Sequence, residues 1–206
     1  MSEVDKLTLI NTIIDIEYAM FDKVEGLGGR ADCQDDKHSF YIMRCSQHNA
    51  FSKSTLESYL SDLNKALSEG RNLVRDKYAY MMEYTDKLYY EEVLKRNLPE
   101  CSKDKLTLIE QILTMLEEDY DKFALEFPYI TGRMRKNKSK ESMATISVYS
   151  FGELKTYSYE TLLLYKKDVL EAKNDMSIVK RIQTQTAVFY GYKNLEEAET
   201  ALKQRG

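Results

Sequence analysis

The stretch STLESYLSDLNKALSEG, residues 54–70, decides the fold class. Its large apolar residues recur at helical spacing, at Leu56, Tyr59, Leu60, Leu63 and Leu67. Ser54 and Glu57 form a capping-box pattern at its start, and Gly70 follows the last periodic residue, where helices commonly end. The stretch therefore predicts an amphipathic helix with one buried face.

The same spacing continues along the chain in both directions. It predicts helices near residues 5–24, 35–49, 73–86, 102–127, 158–173 and 175–190, with a further helical stretch at 89–95, another helix from about residue 145, and a last one after Asn194. Pro128 is expected to end the long helix that starts at Ser102, and residues 129–142, where the periodicity stops, are expected to form a loop. With no strand-like alternation, the sequence predicts an all-α, compact single-domain bundle of roughly seven to nine helices over residues 1–206.

Composition and charge exclude several classes of protein. The net charge is −4, and both signs are interspersed, so no overall field attracts nucleic acid or an anionic membrane. No apolar run approaches the roughly 18 residues of a membrane span, and the N-terminal segment lacks the pattern of a signal peptide. Three widely spaced cysteines predict reduced thiols and a cytoplasmic location. Nothing in the sequence identifies a cofactor or an oligomeric state.

Glu17 is the most informative charged residue. Steps of 3.6 residues from Ile10 place it within the apolar stripe of the first helix, between Ile13 and Phe21. A buried carboxylate must either pair with a cation or keep its proton through a raised pKa. Glu17 is therefore a candidate catalytic acid or base, with a structural ion pair to Arg30 or Arg44 as the alternative.

The second predicted helix carries polar groups on an otherwise apolar face. Phe40, Met43, Arg44 and Gln47 share that face, so an arginine and an amide project beside apolar side chains. Arginine and glutamine suit a small ligand that carries a carboxylate, phosphate or amide group. The alternative is that Arg44 and Gln47 bond to Glu17 and to loop carbonyl groups, with no ligand.

The loop before this helix supplies three further candidates. Arg30 and Gln34 are predicted to bind the same anionic ligand, and Cys33 is a candidate nucleophile, because a nearby arginine and a helix N-terminus lower the pKa of a thiol. For Cys33 the alternative is a small buried apolar residue.

Residues 133–140 hold five basic side chains and are expected to form a loop. Either this loop is simply solvated, or it is a mobile lid that brings Arg133 and Arg135 over an anionic ligand. So short a basic stretch on an acidic chain argues against nucleic-acid binding.

No metal site is predicted. Asp35-x-x-His38 and Cys45-x-x-His48 have the spacing of metal ligands on a helix, but the second pair and the further carboxylates of a dinuclear centre are missing. Both histidines are expected at the surface.

Several segments carry a family resemblance. They are Gly-Gly-Arg-Ala-Asp-Cys-Gln at 28–34, Ile-Met-Arg at 42–44, Ser46-Gln47, Gly-Arg-Asn-Leu at 70–73, Met-Met-Glu at 81–83, Gly-Arg-Met-Arg at 132–135, Gly-Glu-Leu at 152–154, Thr-Tyr-Ser at 156–158 and Tyr-Gly-Tyr at 190–192. Together they resemble the bacterial family known as domain of unknown function 4125, and the resemblance covers nearly the whole chain. It implies a stand-alone helical bacterial protein with no assigned activity. It also implies that the family pattern includes Arg30, Cys33, Gln34, Arg44, Gln47, Arg133 and Glu153.

Two hypotheses about function follow. In the first, the protein is an enzyme whose interhelical pocket binds a small carboxylate- or phosphate-bearing molecule through Arg30 and Arg44, while Glu17 or Cys33 transfers a proton or attacks. In the second, it is a non-catalytic ligand-binding or protein-interaction domain, and the same polar residues form a structural buried network. The pocket of the first hypothesis requires Glu17, Arg30 and Arg44 to converge inside the bundle.

Overall fold

The computed structural model describes residues 3–26, 29–134, 145–173 and 176–205. Within these ranges the chain forms eleven α-helical segments. They are α1 (Glu3–Phe21), α2 (Lys37–Asn49), α3 (Lys53–Ser68), α4 (Leu73–Thr85), α5 (Lys87–Tyr89), α6 (Lys103–Glu126), α7 (Pro128–Arg133), α8 (Ile146–Thr156), α9 (Tyr159–Ala172), α10 (Ile178–Phe189) and α11 (Leu195–Arg205). The described residues contain no β-strand, so the all-α prediction is confirmed, but the expected seven to nine helices are too few.

Two short helices, α5 and α7, add to the expected number. Helix α5 has three residues and continues through a π-helical turn at Tyr90–Leu94 and a 3-10 turn at Lys95–Asn97, so the helical stretch expected at residues 89–95 is present. Helix α7 begins at Pro128, where a loop was expected. Proline is favoured as the first residue of a helix because its missing N–H has no partner to lose there.

Side-chain caps fix where most helices begin. Asn72 caps α4 and Ser102 caps α6, each by accepting a backbone N–H from three residues on, which confirms both predicted starts. The N-cap of α3 is Ser52, two residues before the expected Ser54: its hydroxyl accepts the N–H of Thr55, and the helix begins at Lys53. Gly70, with φ of 68°, follows this helix in the left-handed conformation that glycine adopts without strain.

Two hydrophobic clusters hold the helices together. The larger one includes Ile10, Ile13, Leu56, Leu63, Ile109, Ile112 and Leu162. The smaller one joins the end of α6 to α7, α10 and α11 through Phe123, Phe127, Ile130, Ala187, Leu195 and Ala198. The carboxylate of Glu199 on α11 accepts the N–H groups of Tyr129 and Ile130, both at 2.8 Å, and so caps α7.

Helices α4 and α8 approach each other closely at Gly152. A Cβ atom placed there would lie 2.7 Å from the carbonyl oxygen of Lys77 and 2.7 Å from Cγ of Met81. Only a glycine permits this packing, and it brings Lys77 of α4 beside Glu153 of α8. Among the helices described, none combines the length and hydropathy needed to cross a membrane.

Candidate functional site

A buried ion pair between α1 and α2 is the centre of the site. Glu17 is 2% exposed, as its place on the apolar stripe predicts. Arg44 approaches it side-on: Nε donates to Oε2 at 2.8 Å, and Nη2 donates to Oε1. The hydroxyl of Tyr59 donates to Oε1 at 2.7 Å, and Nε2 of His48 lies 3.0 Å from Oε2. Both carboxylate oxygens of Glu17 therefore have two polar partners each.

The same arginine also reaches a second buried carboxylate. Nη1 of Arg44 lies 3.1 and 3.2 Å from the two oxygens of Glu153 on α8 and donates to Oε1 of Gln47 at 2.7 Å. Gln47 Nε2 and the Tyr157 hydroxyl each donate to Glu153 Oε1, at 2.8 and 3.0 Å. Arg44 thus joins three helices through bonds to protein groups alone.

The charges of this network stabilise one another. Burial alone would raise the pKa of the Glu17 carboxyl, but Arg44 and His48 outweigh that effect and hold its pKa well below the usual range. Burial also opposes ionisation of Glu153, yet Arg44 and Lys77 lower its pKa to about 2. Both carboxylates are therefore ionised at neutral pH.

Lys77 of α4 is the second buried cation. Its Nζ donates to the hydroxyl of Tyr149 at 2.8 Å and lies 3.5 Å from Oε2 of Glu153. The ammonium group is also 4.2 Å from the ring centre of Tyr149 and 5.2 Å from that of Tyr78, so the faces of two aromatic rings surround it. Two carboxylates and two basic side chains thus balance within the network.

A cavity of about 1060 Å³ opens onto this network. Its polar floor is formed by Glu17, Arg44, Gln47, Lys77, Tyr149 and Glu153. Its apolar walls come from both hydrophobic clusters, because Leu73 and Val74 belong to the larger one and Ile130 and Ala198 to the smaller one. The cavity therefore lies between the two clusters, with the charged network on one side.

The cavity confirms the expected shared face of α2. Phe40, Met43, Arg44 and Gln47 all line it. As the spacing indicates, Arg44 and Gln47 lie on this face beside apolar side chains. Both of them bond to protein partners.

Arg30 does not converge with Glu17 and Arg44, contrary to expectation. It is exposed and donates to Asp22 Oδ1 at 2.7 Å and to Asp35 Oδ1 at 2.8 Å. The loop after α1 turns this side chain towards the surface, where its two acidic neighbours balance its charge. Arg30 thus holds the loop closed, and the structure gives it no contact with the buried network.

Gln34 and Cys33 occupy different positions in the same loop. Gln34 is 2% exposed, and its amide donates to the carbonyl groups of Phe21 and Val24, at 2.7 and 3.0 Å, and accepts from Ala31 N at 2.8 Å. It anchors the loop rather than facing the cavity. Cys33 is exposed and lines the cavity.

Of the two arginines of the predicted lid, the structure describes Arg133 alone. Arg133 is the last residue of α7, is exposed and lines the cavity. Arg135 and the rest of the basic run lie outside the described residues, as does Gly28.

Sequence reasoning missed three groups of this site. His48 was expected at the surface but is fully buried, and its Nδ1 has no hydrogen-bond partner among the described side chains. The sequence assigned no role to Lys77, and Tyr59 was expected only as part of the apolar stripe of α3. Lys77 shares a face with Val74, Tyr78 and Met81, so the rule that singles out Glu17 on an apolar stripe also applies to it.

No group of three or more His, Cys, Asp and Glu side chains in the described ranges could hold a metal ion.

The fold and the site define a class: an all-α protein with a cavity above a buried, charge-balanced network. The chain belongs to the family described as Protein of unknown function (DUF4125), which matches residues 7–200. No curated protein and no solved structure matches the chain.

Proposed function

We propose that this protein binds a small amphipathic anion, one that carries a carboxylate or phosphate group, in the cavity between its helices. The observation that carries the proposal is Lys77, a buried ammonium group on the floor of a cavity with largely apolar walls. The volume of about 1060 Å³ is at the upper end of the range of small-molecule sites, roughly 300–1,000 Å³.

Lys77 is better suited than Arg44 to receive the anionic group. Arg44 already donates to two carboxylates and to Gln47. The ammonium of Lys77 has three N–H donors, of which one bonds to Tyr149, and its Glu153 contact is long at 3.5 Å. A bound carboxylate or phosphate would supply the remaining acceptors.

The charges around the opening favour the same ligand. Arg133 and Arg205 both line the cavity, are exposed, and form no ion pair with any residue of the described ranges. Asp36 is the one exposed carboxylate among the described lining residues. An approaching anion therefore meets an excess of positive charge.

Glu17 serves in this proposal as a positioning residue for Arg44. Arg44 and His48 hold its pKa low against the effect of burial, so it has no proton to give and little basicity at neutral pH. Its role is to keep Arg44 in place, and Arg44 in turn orients Gln47 and Glu153 on the cavity floor.

The titration of an amphipathic anion tests the proposal. The fluorescent probe 8-anilinonaphthalene-1-sulfonate should bind wild-type protein saturably. Lys77→Met should weaken binding about 10- to 100-fold, the effect of losing a hydrogen bond to a charged group. Lys77→Arg should retain most of the affinity, and Lys65→Met, at an exposed position outside the cavity, should behave as wild type. Equal affinity of Lys77→Met and Lys65→Met, with unchanged near-ultraviolet circular dichroism, would overturn the proposal.

A second candidate is an enzyme that acts on the same molecule. Cys33 favours it, because its exposed thiol lines the cavity and is accessible to a molecule bound there. Bound 8-anilinonaphthalene-1-sulfonate should then slow the alkylation of Cys33 by iodoacetamide, with Cys101, which does not line the cavity, as the internal control. Equal protection of both thiols would leave only the binding function.

We also propose a cytoplasmic location. The three cysteines, Cys33, Cys45 and Cys101, are all free thiols, which supports a reducing compartment. Cell fractionation with an antibody to the protein tests this location.

A further inference from the structure

A smaller chamber of about 180 Å³ lies beside the main cavity. Ile146, Tyr149, Ser150 and Glu153 line both spaces, and their spacing of i, i+3, i+4 and i+7 places them on one face of α8. The two spaces are therefore adjacent, and side chains of this face lie at their boundary.

The walls of the side chamber are mainly apolar. They include Leu113, Leu116, Leu154, Ile178 and Val179. The carboxylate of Glu117, which also lines the chamber, accepts a hydrogen bond from Ser147 Oγ at 2.6 Å. The chamber thus offers its occupant apolar surface rather than an unpaired charge.

The size of the chamber sets which group could enter it. An apolar cavity of about 150 Å³ in another protein binds benzene, and this chamber is slightly larger at about 180 Å³. It therefore has room for a ring or an alkyl arm of about six carbons.

We infer that the ligand bears an apolar arm of about this length, which occupies the side chamber while the anionic group contacts Lys77 in the main cavity. The inference rests on the proposed function and narrows the ligand to a medium-chain or aryl-alkyl acid or phosphate. Ser150 and Ile182 line both spaces and are only half-buried, so the arm passes beside them.

The inference is tested by comparing carboxylates of different chain length in wild-type protein and in a variant whose side chamber is filled. Straight-chain carboxylates from butanoate to dodecanoate are titrated calorimetrically into wild-type protein and into Leu116→Trp, whose indole fills the chamber. In wild type, each methylene that enters the chamber should tighten binding about fourfold. In Leu116→Trp that gain should disappear, while butanoate, which is too short to reach the chamber, should bind as it does to wild type.

Two further variants keep the result interpretable. Leu60 is half-buried against the same hydrophobic cluster as Leu116 but lines neither space, so Leu60→Trp controls for an added indole. Leu116→Ala enlarges the chamber and should move the best chain length to longer acids, a gain that an unfolded variant could not show.

The outcomes separate the two proposals. An unchanged chain-length gain in both Leu116 variants, with the fluorescent probe still bound, overturns the side-chamber inference alone. Failure of wild-type protein to bind either the probe or any carboxylate overturns the proposed function and this inference together.

Discussion

Arg44 and Glu17 meet side-on, with Nε and Nη2 of the guanidinium each donating to a different oxygen of the carboxylate. Both side chains are nearly inaccessible to solvent, and the partners come from two different helices. This paired geometry matches the planar fork of arginine to the carboxylate, and lysine could not reproduce it. The contact therefore fixes α2 against α1 beneath the cavity.

Loss of Arg44 should destabilise the fold strongly. Arg44→Met leaves Glu17 and Glu153 buried without their shared cation, a change that typically costs about 3–5 kcal/mol. Urea unfolding measures the difference in free energy. Arg75→Met, at an exposed position on α4, should change stability by no more than about 0.5 kcal/mol. If Arg44→Met and Glu17→Gln remain as stable as this control, the network is not structural.

The free energy of unfolding should decrease as the pH falls. The folded pKa of Glu153 is about 2, below its usual value of 4.5, and that of Glu17 is also lowered. As the pH falls, the unfolded chain therefore binds protons at these two carboxylates before the folded protein does. The stabilisation is complete above about pH 5 and is lost as the pH falls towards about 2.

A single variant isolates the contribution of Glu153 to that acid sensitivity. In Glu153→Gln, the free energy of unfolding should decline less steeply between about pH 5 and about pH 3 than in wild type. Glu57→Gln, at an exposed position on α3, should keep the wild-type slope. Equal slopes in all three proteins would contradict the lowered pKa.

The close approach of α4 and α8 should make Gly152 intolerant of even a methyl group. In Gly152→Ala the new Cβ meets the backbone carbonyl of Lys77 at 2.7 Å, and the helices must move apart. We expect a loss of about 1–3 kcal/mol, the usual cost of overpacking. We also expect weaker binding of the fluorescent probe, because Lys77 and Glu153 shift with their helices.

Gly132→Ala is the matched control. Gly132 lies in α7, and a Cβ there has nothing within 4 Å, so alanine should stabilise this helix by about 0.5–1 kcal/mol. Thermal unfolding should therefore move in opposite directions for the two glycines. A drop of similar size at both would show that tight helix packing at Gly152 is not the cause.

The loop after α1 should depend on Gln34 more than on Arg30. Gln34→Ala removes three hydrogen bonds of a buried amide, which costs about 1–3 kcal/mol. Arg30→Ala breaks exposed ion pairs to Asp22 and Asp35 and two hydrogen bonds to backbone carbonyl groups of the loop, and because this side chain is largely solvated we expect a smaller effect on unfolding. Neither should change the affinity for the fluorescent probe; a large loss of probe binding in Arg30→Ala would restore this arginine to the ligand site.

Helical periodicity predicts much of the fold and three members of the site, Glu17, Arg44 and Gln47. The apolar stripe places Glu17 inside the bundle, and the caps Asn72 and Ser102 locate two helix starts, because both signals depend on local sequence alone. The same pattern, applied to α4, would have found Lys77.

Tertiary placement could not be obtained in this way. His48 is buried because it packs against Glu17 of α1, against Phe51 and against Tyr59 of α3, and these contacts are not encoded in the spacing of α2 itself. Arg30 faces solvent because of the path of its loop, for which periodicity carries no information. A proline after a helical pattern can be followed by a loop or can begin another helix. Pro128 begins α7, whose first N–H groups bond to Glu199 of α11, and this contact is not visible in the local sequence.

The position of the cavity between two hydrophobic clusters has a consequence for cooperativity. A molecule bound there contacts both clusters, so the two clusters should unfold together when it is present. The empty protein is then expected to lose the α7, α10 and α11 region at a lower temperature than the rest, and the occupied protein to unfold in a single sharper transition.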